Sequence, residues 1–426
     1  MAKIVVVGGG WAGCAAAMSA RQAGGEVVVL ERTDLLLGAG LVGGIMLNNG
    51  RLTAALETIA LGGHPIFEAL ETIYRHRNVN FPGHNHASLY DVIKVEPLIR
   101  RLLTEQGVKI RFRSRVAGLD QVGDGVKSVI LETGEIITAD AFIDATGTSG
   151  PPGNCWRYGH GCVLCIQRCH SFGPRTSLVK MAGGHEYSLL KGDGSFGAMS
   201  GSCKLCPESL APEIGQELKQ NGVVVVQLPT DLIRPQKLKL KVCQQYAHDD
   251  YARNIILLDT GSVKLMAPFF PLDALRQVPG FELVRYVDPL AGGIGNSMRL
   301  LAMAYRDNSL RVDGLANVLV AGEKQGPAVG HTEAIVTGFL AGHNAVRYAL
   351  GLKPIILPAT LASGALIGAI SQDLKENRPG YQTYTFSGAG FFQTMLEQNL
   401  YSTDPNKVAR RVAAANLAGI YVQPLC

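Results

Sequence analysis

The chain is short of several things at once. Its 426 residues include two tryptophans, 18% charged residues and a net charge of only +5. A surplus that small is compatible with an anionic partner but does not by itself indicate nucleic-acid binding. No apolar run reaches the roughly eighteen residues that suggest a membrane span, so none is expected. The opening apolar stretch reads as a first strand and not as a secretory leader, which makes a cytoplasmic location the expectation. In such a chain nine cysteines point to thiol or metal chemistry and away from structural disulfides. The further G-x-G-x-x-G matches at 38–43 and 192–197 follow no valine-rich strand run like that at 3–8, so no separate NAD(P) site is expected.

What is present is a large core and many glycines. Hydrophobic residues make up 47% of the chain and glycines number 51, which suits an enzyme with close backbone approaches to a ligand. The length suggests two or three domains. Residues 3–8, KIVVVG, read as a strand buried on both faces. They run into Gly8-Gly9-Gly10-Trp11-Ala12-Gly13, which satisfies G-x-G-x-x-G, then into an alanine-rich helix over 15–23 and a second apolar run over 26–30. Glu31 stands eighteen residues after Gly13. Gly8 permits the tight turn, Gly10 lets the backbone approach a pyrophosphate, and Gly13 lets helix and strand pack closely. The helix start at Trp11 and Ala12 offers N–H groups to phosphate. Glu31 would accept from a ribose hydroxyl, with Arg32 beside the adenosine. Together these features predict a dinucleotide site.

Further along, the glycine-rich stretch 35–49, LLLGAGLVGGIMLNN, would pass under a pyrophosphate at Gly38. Residues 51–76 look helical and 78–86, NVNFPGHNH, read as a loop in which His84 and His86 form either an H-x-H metal pair or a solvated pair. A helix over 90–105 precedes a strand over 108–116, and Val116 at its end is a candidate cofactor contact. Residues 127–131 and 135–138 make a hairpin around Gly134. Next, AFIDATG at 141–147 is a buried strand whose small end, Ala145, Thr146 and Gly147, can touch a dinucleotide. A second such strand, VLVAGE at 318–323, places Gly322 and Glu323 at its end. Gly330, His331 and Thr332 then open a helix to about residue 350. Glu323 would bind ribityl hydroxyls, and the helix start would face the flavin pyrimidine oxygen, where reduction builds negative charge. This second motif narrows a dinucleotide to FAD.

Between 151 and 280 the βαβ rhythm gives way to cysteines, basic residues and irregular stretches. Cys155, Cys162, Cys165, Cys169, Cys203 and Cys206, six of the nine cysteines, fall within fifty-two residues. The C-x2-C-x3-C spacing of Cys162, Cys165 and Cys169 lets three thiolates converge on one centre, and a fourth ligand could come from the others. Thiolate ligation suits a [4Fe-4S] cluster, with zinc as the alternative and redox-active or buried thiols as the third reading. His160 and His170 could replace one ligand. The basic run Arg234, Lys237, Lys239 and Lys241 could hold a phosphate backbone or form a solvated strand face.

The block VLVAGEKQGPAVGHTEAIVTGFLAGHNAVRYALG resembles the final FAD motif of the flavoproteins that modify tRNA uridines, the folate- and FAD-dependent tRNA uracil-5-methyltransferases and the larger wobble-uridine-modifying enzymes. VPGFELVRYVDP and LKPIILPATLASGALIGAI are similar to the segments flanking that motif in the methyltransferases. The resemblance implies FAD, folate and an RNA substrate. It implies an early catalytic cysteine in the loop after the first acid, where this chain reads GLVGGIMLNNG and has none. It implies a second in the insertion, at Cys243. The fold expected is α/β, a Rossmann-like FAD-binding domain of the glutathione-reductase type, split in sequence, with an inserted α+β substrate domain. Its parts are expected at 1–150 and 281–355, with the cysteine-rich insertion at 151–280 and a C-terminal helical extension at 356–426. The leading expectation is an FAD-dependent oxidoreductase, coupled to the cysteine centre, that acts on a small-molecule or RNA substrate. An electron-donor protein and a homo-oligomer would accompany it. The alternatives are a folate/FAD-dependent tRNA uridine-modifying enzyme and a non-catalytic flavin- or metal-binding assembly partner.

Overall fold

Five parallel strands form the central sheet of the computed structural model, which describes residues 1–147, 172–188, 198–199, 203–240, 244–266, 270–287, 298–299, 302–376, 383–388 and 390–426. In chain order they are β1 (Lys3–Val7), β2 (Glu26–Leu30), β3 (Lys109–Arg111), β4 (Ala141–Asp144) and β5 (Val318–Val320). They lie in the order β5-β4-β1-β2-β3, so the strand order reverses beside β1. The alternation along each strand explains why these runs are apolar throughout. Ile4 and Val6 enter a core with the helices, whereas Val5 and Val7 enter a second core on the opposite face. Ile143 and Leu319 share the first face, and Phe142, Val318 and Val320 the second. Each such side chain contributes roughly 1.5–3 kcal/mol by leaving water.

The helical face carries Trp11–Gln22 and the long helix His331–Ala349. The two approach closely because both are lined with small residues. A Cβ at Gly338 would lie 2.4 Å from the Ala12 carbonyl oxygen, and one at Gly342 would lie 2.1 Å from that of Ala16. Ser19 fastens the contact through a 2.7 Å hydrogen bond to the Phe339 carbonyl. On the opposite face lies an antiparallel sheet of Val116–Val122, Gly125–Leu131 and Ile136–Thr138. The hairpin expected around Gly134 is present, with that glycine at φ +86°.

Two further sheets lie beyond the central one. Cys203–Leu205, Val263–Leu265, Asn254–Asp259 and Val223–Gln227 form a four-stranded antiparallel sheet, covered by the helix Pro212–Asn221. That helix starts with Pro212 and stops at left-handed Gly222, as its sequence dictates. Phe281, Val284 and Tyr286 pack into the same core as Leu205 and Ile255. The other face of this sheet, through Ile256 and Leu258, packs on Val79, Phe81 and Leu89. Those residues belong to a three-stranded sheet of Ile45–Met46, His84–Tyr90 and Tyr74–Phe81. The segment read as a loop at 78–86 is therefore mostly strand, turning at Pro82 and left-handed Gly83. Its polar residues and bulged register hide the period of two. The helices Ala362–Lys375, Phe391–Glu397 and Pro405–Ala414 follow, and the chain ends against the first helix, Leu425 N–H donating to the Ala23 carbonyl at 2.9 Å.

Candidate flavin site

The site lies at the carboxyl ends of β1, β4 and β5, outside the point where strand order reverses, which is where open α/β sheets bind their ligands. The three glycines of the opening motif divide into two kinds. A Cβ on Gly8 would come within 2.6 Å of the Ala145 carbonyl oxygen, and one on Gly13 within 1.8 Å of the Gly8 carbonyl oxygen. Both are required by the protein's own packing. Gly10 differs, because a Cβ there meets nothing within 4 Å. The space beside it is open, the cradle that a pyrophosphate needs.

Two helices begin at this cleft. The first intrahelical bond of Trp11–Gln22 runs from Cys14 N–H to the Gly10 carbonyl, so the amides of Trp11, Ala12 and Gly13 have no partner within the helix. In the long helix the first bond runs from Ala334 N–H to Gly330, which leaves His331, Thr332 and Glu333 in the same state. Gly322, at φ +66°, lets the end of β5 pass Ala12, whose Cβ would be 2.8 Å from an added Cβ. Its amide donates to Thr337 Oγ1 at 2.9 Å. The two motifs, more than three hundred residues apart in the chain, thus converge on one cleft. They aim two positive helix ends into it.

Glu31 closes the first turn. Its Oε2 accepts from Gly9 N–H at 2.8 Å, and its Oε1 accepts from the amide and hydroxyl of Thr33 at 2.7 and 2.9 Å. Arg32 reaches the Gly173 carbonyl at 2.6 Å. Val116 is buried in the core between the central sheet and the antiparallel sheet. Thr146 turns back, its hydroxyl donating to Asp144 Oδ1 at 2.7 Å. The other Asp144 oxygen accepts from Val179 N–H at 3.0 Å. Asp144 is fully buried and ties the end of β4 to the chain beyond it, a role invisible in its apolar sequence context.

The stretch after Glu31 folds across the glycine turn, with Leu37 N–H donating to Gly9 at 2.7 Å and Gly38 at φ +46° starting a short 3-10 helix to Val42. This loop packs on an aromatic triangle of Trp11, Tyr90 and His331, with ring centres 6.2 Å apart on every side. The Tyr90 hydroxyl donates to the Gly40 carbonyl at 2.8 Å and lies 3.1 Å from His331 Nδ1. With its single proton spent on Gly40, the hydroxyl accepts from His331, which places the imidazole proton on Nδ1. Burial pushes the Tyr90 phenol well above its ordinary pKa, so it stays protonated. A side chain at Gly43 would overlap the His331 ring.

Behind the long helix lies a buried ion pair that sequence reading missed. Arg51 Nε is 3.1 Å from both oxygens of Glu333, and its Nη2 donates to the Val329 carbonyl and to Thr385 Oγ1 at 3.2 Å. Asn48 joins it, linking Arg51 to His84 Nδ1 at 2.9 Å. His84 is buried, its Nε2 3.0 Å from the Gln245 carbonyl, while His86 lies near Asn78 at the surface. The H-x-H pair is therefore neither a metal pair nor solvated as a unit. Of the cysteine cluster, Cys155, Cys162, Cys165 and Cys169 lie outside the described residues, as does the candidate nucleophile Cys243. Cys203 opens a strand, and the Cys206 thiol is 3.1 Å from Glu208 Oε2. Among the described residues no three histidines, cysteines or carboxylates gather as a metal site.

The open Gly10 cradle and the paired helix ends fit FAD. Residues 3–149 match the FAD dependent oxidoreductase family, and residues 247–353 match the glucose inhibited division protein A family. The methylenetetrahydrofolate–tRNA-(uracil-5-)-methyltransferase of Synechococcus sp. strain CC9605 is 52% identical over 101 residues, 23% of this chain and 21% of that protein. The same enzyme of Deinococcus radiodurans is 31% identical over 140 residues, 32% of this chain and 28% of that one. The chain thus aligns with only a fifth to a third of the length of these relatives. In three dimensions it resembles Aquifex aeolicus GidA, with a TM-score of 0.61 at 15% identity over 97% of this chain and 76% of that one. The fold is a Rossmann-like FAD-binding fold, and the chain is a flavoprotein of the FAD-dependent oxidoreductase class. Within that class, the matched parts of the chain are similar to the tRNA-(uracil-5-)-methyltransferases and to the glucose inhibited division protein A family.

Proposed function

We propose that this flavoprotein is an oxidoreductase that modifies a uridine in tRNA, working on a substrate docked between the cofactor cleft and the inserted sheet. The reading rests on one observation above the others. The opening glycine motif, within the match to the FAD dependent oxidoreductases, and the block after β5, within the match to the glucose inhibited division protein A family, meet at a single cleft. FAD bound there supplies hydride and one-electron chemistry. The chain's own residues do the rest. The amides of Trp11, Ala12 and Gly13 receive the pyrophosphate, and Glu31 holds the turn that carries them. The amides of His331 and Thr332 favour negative charge at the other end of the cleft, and the Tyr90–His331 bond fixes the ring that lines it.

Folate as the one-carbon donor belongs to this proposal through the named relatives. The missing early cysteine narrows it, because a methyl transfer that needs two thiols has only Cys243 available among the matched positions. Reductive or folate-dependent uridine chemistry with Cys243 as the nucleophile is the form we favour. A cysteine-ligated iron–sulfur or zinc centre in the insertion is the second reading, carried by the six clustered cysteines.

Purification under anaerobic conditions tests both readings. A yellow protein that retains FAD and binds tRNA in a salt-dependent manner, with unmodified tRNA preferred over mature tRNA, is the expected result. A colourless protein that cannot be reconstituted with FAD would sink the flavin reading, and absence of tRNA binding at low salt would remove the substrate. Iron with acid-labile sulfide, or zinc, in stoichiometric amount establishes the metal centre, and neither metal at that level eliminates it. A Cys243→Ser variant that turns over at the wild-type rate removes that thiol from the mechanism.

A further inference from the structure

Lys204 and Lys264 face each other across paired antiparallel strands of the inserted sheet, in direct register. Their neighbours Leu205, Val263 and Leu265 point into the hydrophobic core of that sheet, so by the alternation of a strand the two lysines emerge on its other face. There both reach the same loop. Lys204 Nζ donates to the Leu41 carbonyl, and Lys264 Nζ donates to the Val42 carbonyl at 2.7 Å. This loop is the one that crosses the glycine turn and packs on His331.

Like charges directly opposite on neighbouring strands destabilise a sheet. Lys264 is only 6% exposed. Lys204 has a neutral carbonyl as its hydrogen-bond acceptor, and its burial lowers its pKa from 10.5 to about 8. An ammonium has three N–H donors, and the Leu41 carbonyl occupies one of those on Lys204. Two lysines held against one loop, with donors to spare on Lys204, are the elements of an oxyanion site.

We propose that Lys204 and Lys264 form an anion seat where the inserted sheet meets the flavin-site loop, and that it takes a phosphate or carboxylate group of the substrate. The proposal rests on the flavin-site reading for the identity of the loop. Occupation of the seat would couple the substrate to the cofactor, because the same ammonium groups hold the Leu41 and Val42 carbonyls. Lys204 would thereby act as a specificity-determining residue.

The test uses the full chain, with and without FAD, and inorganic phosphate as the probe. Lys204 is acylated with an amine-reactive ester and followed by peptide mapping, with the exposed Lys353 as reference. Saturating phosphate should slow labelling of Lys204 at least fivefold and leave Lys353 unchanged. In the yellow protein, phosphate should perturb the flavin spectrum. Lys204→Met should weaken that response about tenfold in phosphate concentration, and Lys204→Arg should keep it within threefold. Equal labelling with and without phosphate, or a Lys204→Met variant that responds as the wild type does, would overturn the seat. So would protection by FAD alone with no further effect of phosphate, which would assign the lysines to the cofactor's own charge. A colourless protein would defeat the flavin reading while the labelling still decides the seat.

Discussion

Arg51 and Glu333 meet in the interior, Nε 3.1 Å from both carboxylate oxygens, with the two residues only 3% and 0% exposed. Glu333 is the third residue of the long helix, so its bare carboxylate would offset the positive end that faces the cofactor cleft. Arg51 cancels that charge from behind. Burial alone would lower the pKa of Arg51, but Glu333, and after it Tyr246, outweigh that and hold the guanidinium above its ordinary value. Thr385 Oγ1 and Phe386 N–H complete the shell around Glu333 Oε1 at 2.7 and 2.9 Å.

Removing one partner strands the other. Arg51→Met is expected to cost roughly 3–5 kcal/mol in urea unfolding, the range for an uncompensated buried charge, and to speed FAD release. The double variant Arg51→Met/Glu333→Gln removes both charges, while the amide oxygen it introduces can still accept from Thr385 and Phe386. Its loss should be well below the sum of the single variants. Additive losses, or an Arg51→Met variant within about 1 kcal/mol of the parent, would show that the pair does not act as a unit.

The motif glycines allow a sharper test of the cofactor site, since two are demanded by packing and one is not. Gly13→Ala forces a Cβ to within 1.8 Å of the Gly8 carbonyl and should leave little folded protein. Gly10→Ala enters open space and should fold with a melting temperature close to the parent's. Yet FAD affinity should fall by more than about tenfold, because the methyl group occupies the place of the pyrophosphate. Calorimetry on the apoprotein and FAD titration separate the two effects. A Gly10→Ala protein that binds FAD as tightly as the parent would place the cofactor elsewhere.

Much of this cleft was legible in the chain because strand, glycine turn and helix are local patterns with one physical solution. The alternation of Ile4 and Val6 against Val5 and Val7 is what a strand buried on both faces looks like in sequence. Long-range relations were not legible. Nothing near Arg51 in the chain announces that Glu333 is its partner, and Lys204 and Lys264 become neighbours only through strand pairing. Polar strands were misread for the same reason, since Tyr74–Phe81 earns its place by packing against the inserted sheet and not by its own hydrophobic period.

His343 sits in the middle of the long helix, fully buried, its two ring nitrogens without a hydrogen-bond partner among the described residues. The Tyr421 ring lies 5.8 Å away and offers no charge. Burial, and then the nearby Arg347, lower its pKa from 6.5 to about 4. Because the unfolded chain binds a proton at higher pH than the folded one, stability is intact above 6.5 and falls as the pH drops towards 4. A shift of that size corresponds to roughly 3 kcal/mol. Urea midpoints measured between about pH 7 and pH 4 should fall accordingly, and His343→Phe should flatten that part of the curve. An unchanged slope in the variant would assign the acid sensitivity to other groups.

Beside its apolar contact, the inserted sheet is tied to its neighbour through the Asp259 carboxylate. Arg75 binds Asp259 through two bonds, Nε at 2.8 Å and Nη2 at 3.0 Å, and His76 Nε2 lies 2.9 Å from the same group. Half-burial works to raise the Asp259 pKa, but the hydrogen bonds from Arg75 and His76 outweigh it and hold the acid below its ordinary value. With a depressed folded pKa, this contribution is present above pH 3.8 and is lost as the pH falls through the folded value. Arg75 is about one-third exposed, so solvent screening leaves only about 1 kcal/mol to be lost in Asp259→Asn. The informative readout is therefore local. Amide exchange in Asn254–Asp259 and Val263–Leu265 should quicken, because those strands hold the carboxylate and the lysine seat, while exchange in Trp11–Gln22 should not change. Equal quickening in both places would mean that the cofactor cleft and the inserted sheet open as one unit. An unchanged pattern would mean that the apolar contact of Ile256 and Leu258 with Val79, Phe81 and Leu89 holds the sheets together without the ion pair.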